Sequence, residues 1–93
     1  MIPNNQPHFK VEVEKRVDKR LSQLHPKHRQ QVLKRMVELQ LNPRPQDSIK
    51  LKDVHGYRLT MGDYRILYDI DYNTKTIKIW KLIDRKEGYN HLQ

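Results

Sequence analysis

The stretch that decides the fold is Tyr-Arg-Leu-Thr-Met-Gly-Asp-Tyr-Arg-Ile-Leu-Tyr-Asp-Ile, residues 57–70. Apolar and polar side chains alternate on both sides of Gly62-Asp63, as they do in strands with one buried face. A two-residue loop with Gly at its first position suits a type II′ turn, because that position needs a positive φ angle. The stretch therefore predicts an antiparallel hairpin with strands over 56–61 and 64–71.

The register of this hairpin assigns its side chains to two faces. With Gly62-Asp63 as the loop, Met61 stands opposite Tyr64, and cross-strand partners share a face. The expected core face carries Tyr57, Leu59, Met61, Tyr64, Ile66, Tyr68 and Ile70. The opposite face carries Arg58, Thr60, Arg65, Leu67 and Asp69. Arg58 and Arg65 then lie one diagonal step apart, where two guanidinium groups repel unless an anion such as phosphate lies between them.

The sequence before the hairpin predicts a strand and two helices. Residues 8–13 alternate as a short strand, and the apolar period then becomes that of a helix face through Val17 and Leu21. Pro26 interrupts this helix and is tolerated in the first turn of a second one, which ends before Pro43. Helices joined by so short a break are expected to form an antiparallel hairpin.

A last strand is predicted over residues 76–83, but alternation does not assign its faces. Ile77 and Ile79 indicate that one side is buried, whereas Trp80 and Leu82 indicate the other. A β-bulge and burial on both faces are both compatible with this pattern.

These elements place the protein in the α+β class. The predicted order is an N-terminal strand, an antiparallel helix hairpin, a polar connection over 43–56 and a three-strand antiparallel meander. The helices are expected to cover one face of this small sheet. The whole chain, 1–93, is interpreted as one domain that begins with a loose lead over 1–7.

Composition restricts the possible functions. The 93 residues include 19 Lys and Arg against 11 Asp and Glu, a net charge of +8 with neutral histidines. This balance favours polyanionic partners, and nucleic acid first. The absence of cysteine excludes a disulfide framework and a thiol nucleophile. No metal or cofactor is expected, and without a membrane span or secretory signal we expect a soluble, cytoplasmic protein.

The hairpin resembles the central motif of the RelE/ParE toxin superfamily, in which three residues separate Tyr-Arg from Gly-Asp-Tyr-Arg. Residues 49–52 are similar to the basic loop that precedes this motif, and residues 78–82 to the family's last strand. Arg85 and Tyr89 are similar to its C-terminal arginine and aromatic residue. The similarity extends over nearly the whole chain.

The resemblance implies a toxin of a type II toxin–antitoxin system. RelE-type members cut mRNA in the ribosomal A site without a metal, whereas ParE-type members have the same fold and target DNA gyrase. We favour the first activity: a ribosome-dependent endoribonuclease in which the ribose 2′-OH attacks the phosphodiester and arginines stabilise the transition state. The alternatives are a gyrase-inhibiting toxin and a catalytically weak RNA-binding homologue.

The resemblance also suggests which residues act. Those matching catalytic positions are Arg58, Arg65, Arg85 and Tyr89. Those matching the basic loop, and expected to bind substrate, are Lys50 and Lys52. Tyr89, Lys52 and Lys50 are the candidate proton carriers. Two departures are Thr60, where many members carry a basic residue, and Asp84, where many carry His and which would place a carboxylate beside the phosphate.

Further substrate contacts and partners are expected. A basic stripe on the first helix could bind ribosomal RNA phosphates: Lys15, Arg16, Lys19 and Arg20. The resemblance implies a cognate acidic, RelB-like antitoxin that buries the helix pair or the arginine face. Structural roles are the alternatives: Arg58 or Arg65 could pair with Asp69, Tyr89 could be a packing aromatic, and the basic stripe could be a solvated helix face.

Overall fold

The computed structural model describes residues 8–87. Within them the elements follow in the order β1 (Lys10–Val13), α1 (Lys15–Ser22), α2 (Pro26–Glu38), β2 (Ile49–Lys50), β3 (Tyr57–Met61), β4 (Tyr64–Asp71), β5 (Thr76–Asp84) and a 3₁₀ turn at Arg85–Glu87. The strands form one sheet in the order β1-β5-β4-β3-β2. β1 runs parallel to β5, and the other neighbours are antiparallel.

The predicted α+β architecture is confirmed, with two additions. The meander β3-β4-β5 and the preceding helix pair lie where the sequence predicts them. The segment predicted to be only a polar connection contains β2, in which Ile49 pairs with Arg58 and Lys50 with Tyr57. The N-terminal strand joins the sheet beside β5, a pairing between distant parts of the chain. The predicted lead, 1–7, lies outside the described residues.

The two helices are joined through side chains that satisfy their ends. Pro26 occupies the first turn of α2, and the His25 ring accepts a hydrogen bond from the Lys27 N–H at 3.2 Å, which caps the helix. The Arg29 guanidinium donates to the carbonyls of Leu21 and Leu24, both at 3.1 Å. A carbonyl in the last turn of α1 and one in the linker therefore gain a partner from α2, which fixes the junction between the helices.

The core lies between the helices and the predicted apolar face of the sheet. Its buried members are Phe9, Val17, Leu21, Val32, Met36, Leu39, Leu59, Ile66, Tyr68, Ile77, Ile79 and Leu82. Tyr68 is fully buried at the centre of β4, and its hydroxyl donates to the Pro43 carbonyl at 2.8 Å. Burial raises the pKa of Tyr68 to about 12.

Glycines occupy two positions that other residues would strain. Gly62 has a φ of +59°, and Asp63 has a negative φ, as in the predicted II′ turn. Gly56 has a φ of +115° at the start of β3. A Cβ atom at Gly56 would lie 2.6 Å from both the Tyr68 carbonyl oxygen and Asp69 Oδ1, whereas one at Gly62 would meet nothing within 4 Å.

Substitution of Gly56 should destabilise the protein more than substitution of Gly62. Gly56→Ala adds backbone strain and a clash with β4, so we expect it to lower the free energy of unfolding by about 3 kcal/mol. Gly62→Ala adds backbone strain alone, and we expect a loss of about 1 kcal/mol. Urea denaturation of both variants checks the order, and equal losses would contradict it.

The buried Tyr68 predicts a loss of stability at alkaline pH. An unfolded tyrosine ionises near pH 10, whereas folded Tyr68 holds its proton until about pH 12. The unfolded state thus releases the proton first, and the free energy of unfolding should fall by about 2–3 kcal/mol between these pH values.

Tyr68→Phe tests this assignment. The variant loses the hydrogen bond to Pro43, which should cost about 1 kcal/mol at pH 8, and its stability should then fall less steeply above pH 10. Urea unfolding at pH 8, 10 and 11.5 compares the two proteins. An equally steep alkaline fall in both would assign the effect to other groups.

Candidate nucleic-acid interface

The face of the sheet opposite the helices, here called the open face, carries the paired arginines. The hairpin register places Arg58 beside Leu67 and Thr60 beside Arg65. Cross-strand partners share a face, so Arg58 and Arg65 lie on the open face one diagonal step apart. This is the placement predicted from the sequence, and it brings two guanidinium groups to one surface.

A bulge in β5 assigns the faces that the sequence left ambiguous. Leu67 stands opposite Lys81, but Tyr68 stands opposite Ile79, so Trp80 is the extra residue. The register shift lets Ile79 and Leu82 both reach the core while Lys81 lies on the open face. Simple alternation cannot locate this lysine, because the bulge reverses the parity of every residue after it.

The register partners of Arg58 and Arg65 on the open face include two buried apolar side chains. Leu67 and Ile83 are only 3% and 8% exposed although they lie on the open face, outside the helix-covered core. The Nε atoms of Arg58 and Arg65 are buried as well. At partly buried positions the reduced local dielectric strengthens the attraction of a guanidinium group for an anion.

Arg85 lies at the end of the sheet, beside the β3–β4 turn. Its N–H donates to the Asp63 carbonyl at 2.8 Å, and its guanidinium stands 3.5 Å from the Asp63 carboxylate. Both side chains of this pair are more than half exposed, so it contributes little to stability and can exchange one anion for another. These contacts hold Arg85 beside Asp63. Asp63 is two residues before Arg65 along the chain, and Arg65 pairs with Ile83 of β5.

Asp84 does not share the face of the arginine pair. Its register partner is Tyr64, which belongs to the core side, and its Oδ1 accepts the Lys86 N–H at 2.9 Å. Burial and the Asp84 and Asp63 carboxylates raise the pKa of Tyr64, and the charge of Arg20 partly offsets them. Asp84, which stands where many family members carry His, therefore raises the pKa of Tyr64 and accepts a hydrogen bond in the turn after β5.

The lysines of the basic loop, residues 49–52, are not placed on the open face by strand pairing. Lys50 pairs with Tyr57 and so belongs to the side of the sheet opposite Arg58, whose partner on β2 is Ile49. Lys52 is exposed in the irregular segment that follows. The structure therefore does not bring these two lysines onto the open face by strand pairing.

The basic residues of α1 have two different environments. Lys15 and Lys19 are exposed. Arg16 donates from Nε to the Trp80 carbonyl at 2.6 Å, with its guanidinium 5.8 Å from the centre of the Trp80 ring. Arg20 is half-buried. The stripe is thus only partly a solvated surface, since Arg16 satisfies a carbonyl at the bulge.

Tyr89 lies outside residues 8–87, which the structure describes, so its role stays a prediction. Between residues 8 and 87, no group of three or more His, Asp and Glu side chains is arranged to hold a metal ion. No helix in that range is long and apolar enough to cross a membrane.

Comparison with known proteins relates this chain to toxins of type II toxin–antitoxin systems. Residues 8–89 match the family model described as ParE toxin of type II toxin-antitoxin system, parDE. A protein of Methanocaldococcus jannaschii named as toxin RelE1 is 33% identical over 84 residues, which cover 86% of this chain and 92% of that protein.

Solved structures with the same fold come from archaea and bacteria. The RelE–RelB complex of Pyrococcus horikoshii OT3 contains a chain that matches with a TM-score of 0.75 and 33% identity, over 84% of this chain and 96% of that one. The toxin–antitoxin complex RelBE2 of Mycobacterium tuberculosis contains one with a TM-score of 0.77 and 21% identity, over 89% and 98%. At that lower identity the likeness shows the fold alone.

Proposed function

Because this chain belongs to the RelE/ParE family of toxins of type II toxin–antitoxin systems, we propose that it is a ribosome-dependent, metal-independent endoribonuclease that cleaves mRNA. The observation that supports this most is that Arg58 and Arg65 lie on the open face one diagonal step apart. Two guanidinium groups on one surface can form bidentate contacts with one phosphate.

In the proposed reaction the RNA supplies its own nucleophile. The ribose 2′-OH loses its proton and attacks the adjacent phosphorus, the bond to the 5′ oxygen breaks, and that oxygen takes up a proton. The arginines stabilise the negative charge that accumulates on the phosphoryl oxygens. Arg65 and Arg58 are the proposed first contacts. Arg85 is the third, because its exposed contact with Asp63 can be exchanged for phosphate.

The proton carriers are assigned by resemblance. Tyr89 is proposed as the group that moves the proton, and Lys50 and Lys52 remain the alternatives. The register separates Lys50 from the face of Arg58, which favours Tyr89 over Lys50. Proton transfer requires a group within hydrogen-bond reach of the reacting oxygen.

We also propose an acidic antitoxin as the partner in the cell. The similar chains of Pyrococcus horikoshii and Mycobacterium tuberculosis were solved as toxin–antitoxin complexes. A chain with a net charge of +8 attracts an acidic partner, and the same charge attracts ribosomal RNA. The exposed Lys15 and Lys19 of α1 are the proposed rRNA contacts, with Arg16 and Arg20 beside them. A ribosomal target places the protein in the cytoplasm.

One observation supports a second candidate function. The family model that matches residues 8–89 is that of ParE toxins, and ParE-type members act on DNA gyrase. Mapping mRNA ends on ribosomes after expression of the protein, with a gyrase supercoiling assay in parallel, separates the two functions. Cuts at defined codon positions support the ribonuclease, whereas blocked supercoiling with intact mRNA supports the gyrase inhibitor.

The arginine site predicts the effect of Arg65→Ala. Removal of one preorganised donor from an oxyanion site costs on the order of 10²–10³ in rate, so we expect cleavage to fall by about this factor and toxicity to disappear. Cleavage is measured on mRNA-programmed ribosomes, and circular dichroism and thermal melting check that the variant folds.

Arg44→Ala is the matched control for that loss. Arg44 is exposed and lies 4.8 Å from the centre of the Tyr57 ring, on the side of the sheet away from the arginine pair. It carries the same charge, and its loss should leave the cleavage rate within about twofold because it makes no transition-state contact. A folded Arg65→Ala protein with full cleavage would remove the catalytic assignment.

A further inference from the structure

We propose that Lys81 is an RNA-binding residue of the open face and contacts a phosphate that flanks the cleaved one. This inference takes from the proposed function only that the ligand is single-stranded RNA. It does not depend on cleavage. It starts from the β-bulge at Trp80, which alone brings this lysine to the face of the arginine pair.

The register places three cationic side chains around Leu67. Arg58 pairs with Leu67 from β3, and Lys81 pairs with it from β5. Neighbouring strands are about 4.8 Å apart, so the Cα atoms of Arg58 and Lys81 are about 10 Å apart. Arg65 lies two residues from Leu67 along β4, a rise of about 7 Å. These three cations therefore surround Leu67 on three sides, and Asp69, which pairs with Lys78, lies two residues from Leu67 on the fourth.

Lys81 differs from the other β5 lysine of this face in its surroundings. Lys78 stands between two acids, since Asp69 pairs with it from β4 and Glu12 from β1. Lys81 stands opposite Leu67, near Arg65. Its side chain forms no ion pair or hydrogen bond within residues 8–87. One lysine is thus locally balanced, and the other adds to a positive cluster.

Lys81 adds a positive charge beside Arg58 and Arg65 at a half-buried position, without an acidic partner of its own. A lysine placed in this way departs from the pattern of stable surfaces, as binding sites do. A single-stranded RNA backbone supplies successive phosphates and follows a positively charged groove. Arginine forks suit bidentate contact with the cleaved phosphate, whereas the lysine ammonium is a point charge that accepts many orientations. This division assigns Lys81 to a neighbouring phosphate.

The test uses the full chain and a non-cleavable probe, an eight-nucleotide 2′-O-methyl RNA with a fluorescent label. Anisotropy titrations from 25 to 250 mM KCl give the slope of log K against log salt for the wild type, Lys81→Gln, Lys81→Arg and Lys78→Gln. Loss of one phosphate contact lowers the magnitude of this slope by about 0.7 for a single strand. We expect this decrease in Lys81→Gln, with wild-type slopes for Lys81→Arg and Lys78→Gln.

Each other result overturns the inference. An unchanged slope in Lys81→Gln means that the lysine contacts no phosphate, and an equal decrease in Lys78→Gln means that only net charge matters. Absence of binding by the wild type at 25 mM KCl removes the RNA site. The melting temperature of Lys81→Gln should equal or exceed that of the wild type because repulsion is relieved. Lys81→Met, which also removes the charge and should show the same decrease in slope, replaces the glutamine variant if that variant folds poorly.

Cleavage of ribosome-bound mRNA by the wild type, measured in parallel, separates the two proposals. A reduced slope in Lys81→Gln without wild-type cleavage supports the lysine contact and contradicts the ribonuclease. Wild-type cleavage with an unchanged slope supports the ribonuclease and contradicts the lysine contact.

Discussion

The two-residue turn between β3 and β4 is the constraint on which both the core and the candidate site depend. Gly62 supplies the positive φ angle, and the short loop leaves one register in which Met61 meets Tyr64. A slip of one residue would turn Leu59 outward and Arg58 inward, because side chains alternate between faces. Burial of the apolar set therefore also holds the arginines on the open face. The stability of the core and the placement of the two arginines are consequences of the same local geometry.

The sequence could predict those features that depend on neighbouring residues. The hairpin register follows from Gly62-Asp63 and the flanking alternation, and the start of α2 follows from Pro26. The parallel pairing of β1 with β5 joins residues more than sixty positions apart, and β2 contains only two residues. Neither feature has a local signal, since pairing of distant strands depends on packing that becomes defined only in the folded chain.

The bulge at Trp80 explains why the candidate site was only partly predictable. Arg58 and Arg65 lie on strands with unbroken alternation, so their shared face can be derived from the sequence. Lys81 follows an extra residue, and its face depends on where that residue sits. A bulge is also a means of changing which side chains a strand presents. Here it presents a third cation while Ile79 and Leu82 both remain buried in the core.

The hairpin turn also connects the sheet to the residues that follow it. The Asp63 carbonyl accepts the N–H of Arg85, and its carboxylate lies near the guanidinium of the same residue. The backbone contact positions the chain as it leaves β5, whereas the exposed charge pair contributes little to stability. One turn thus sets the register of Arg58 and Arg65 and the position of Arg85.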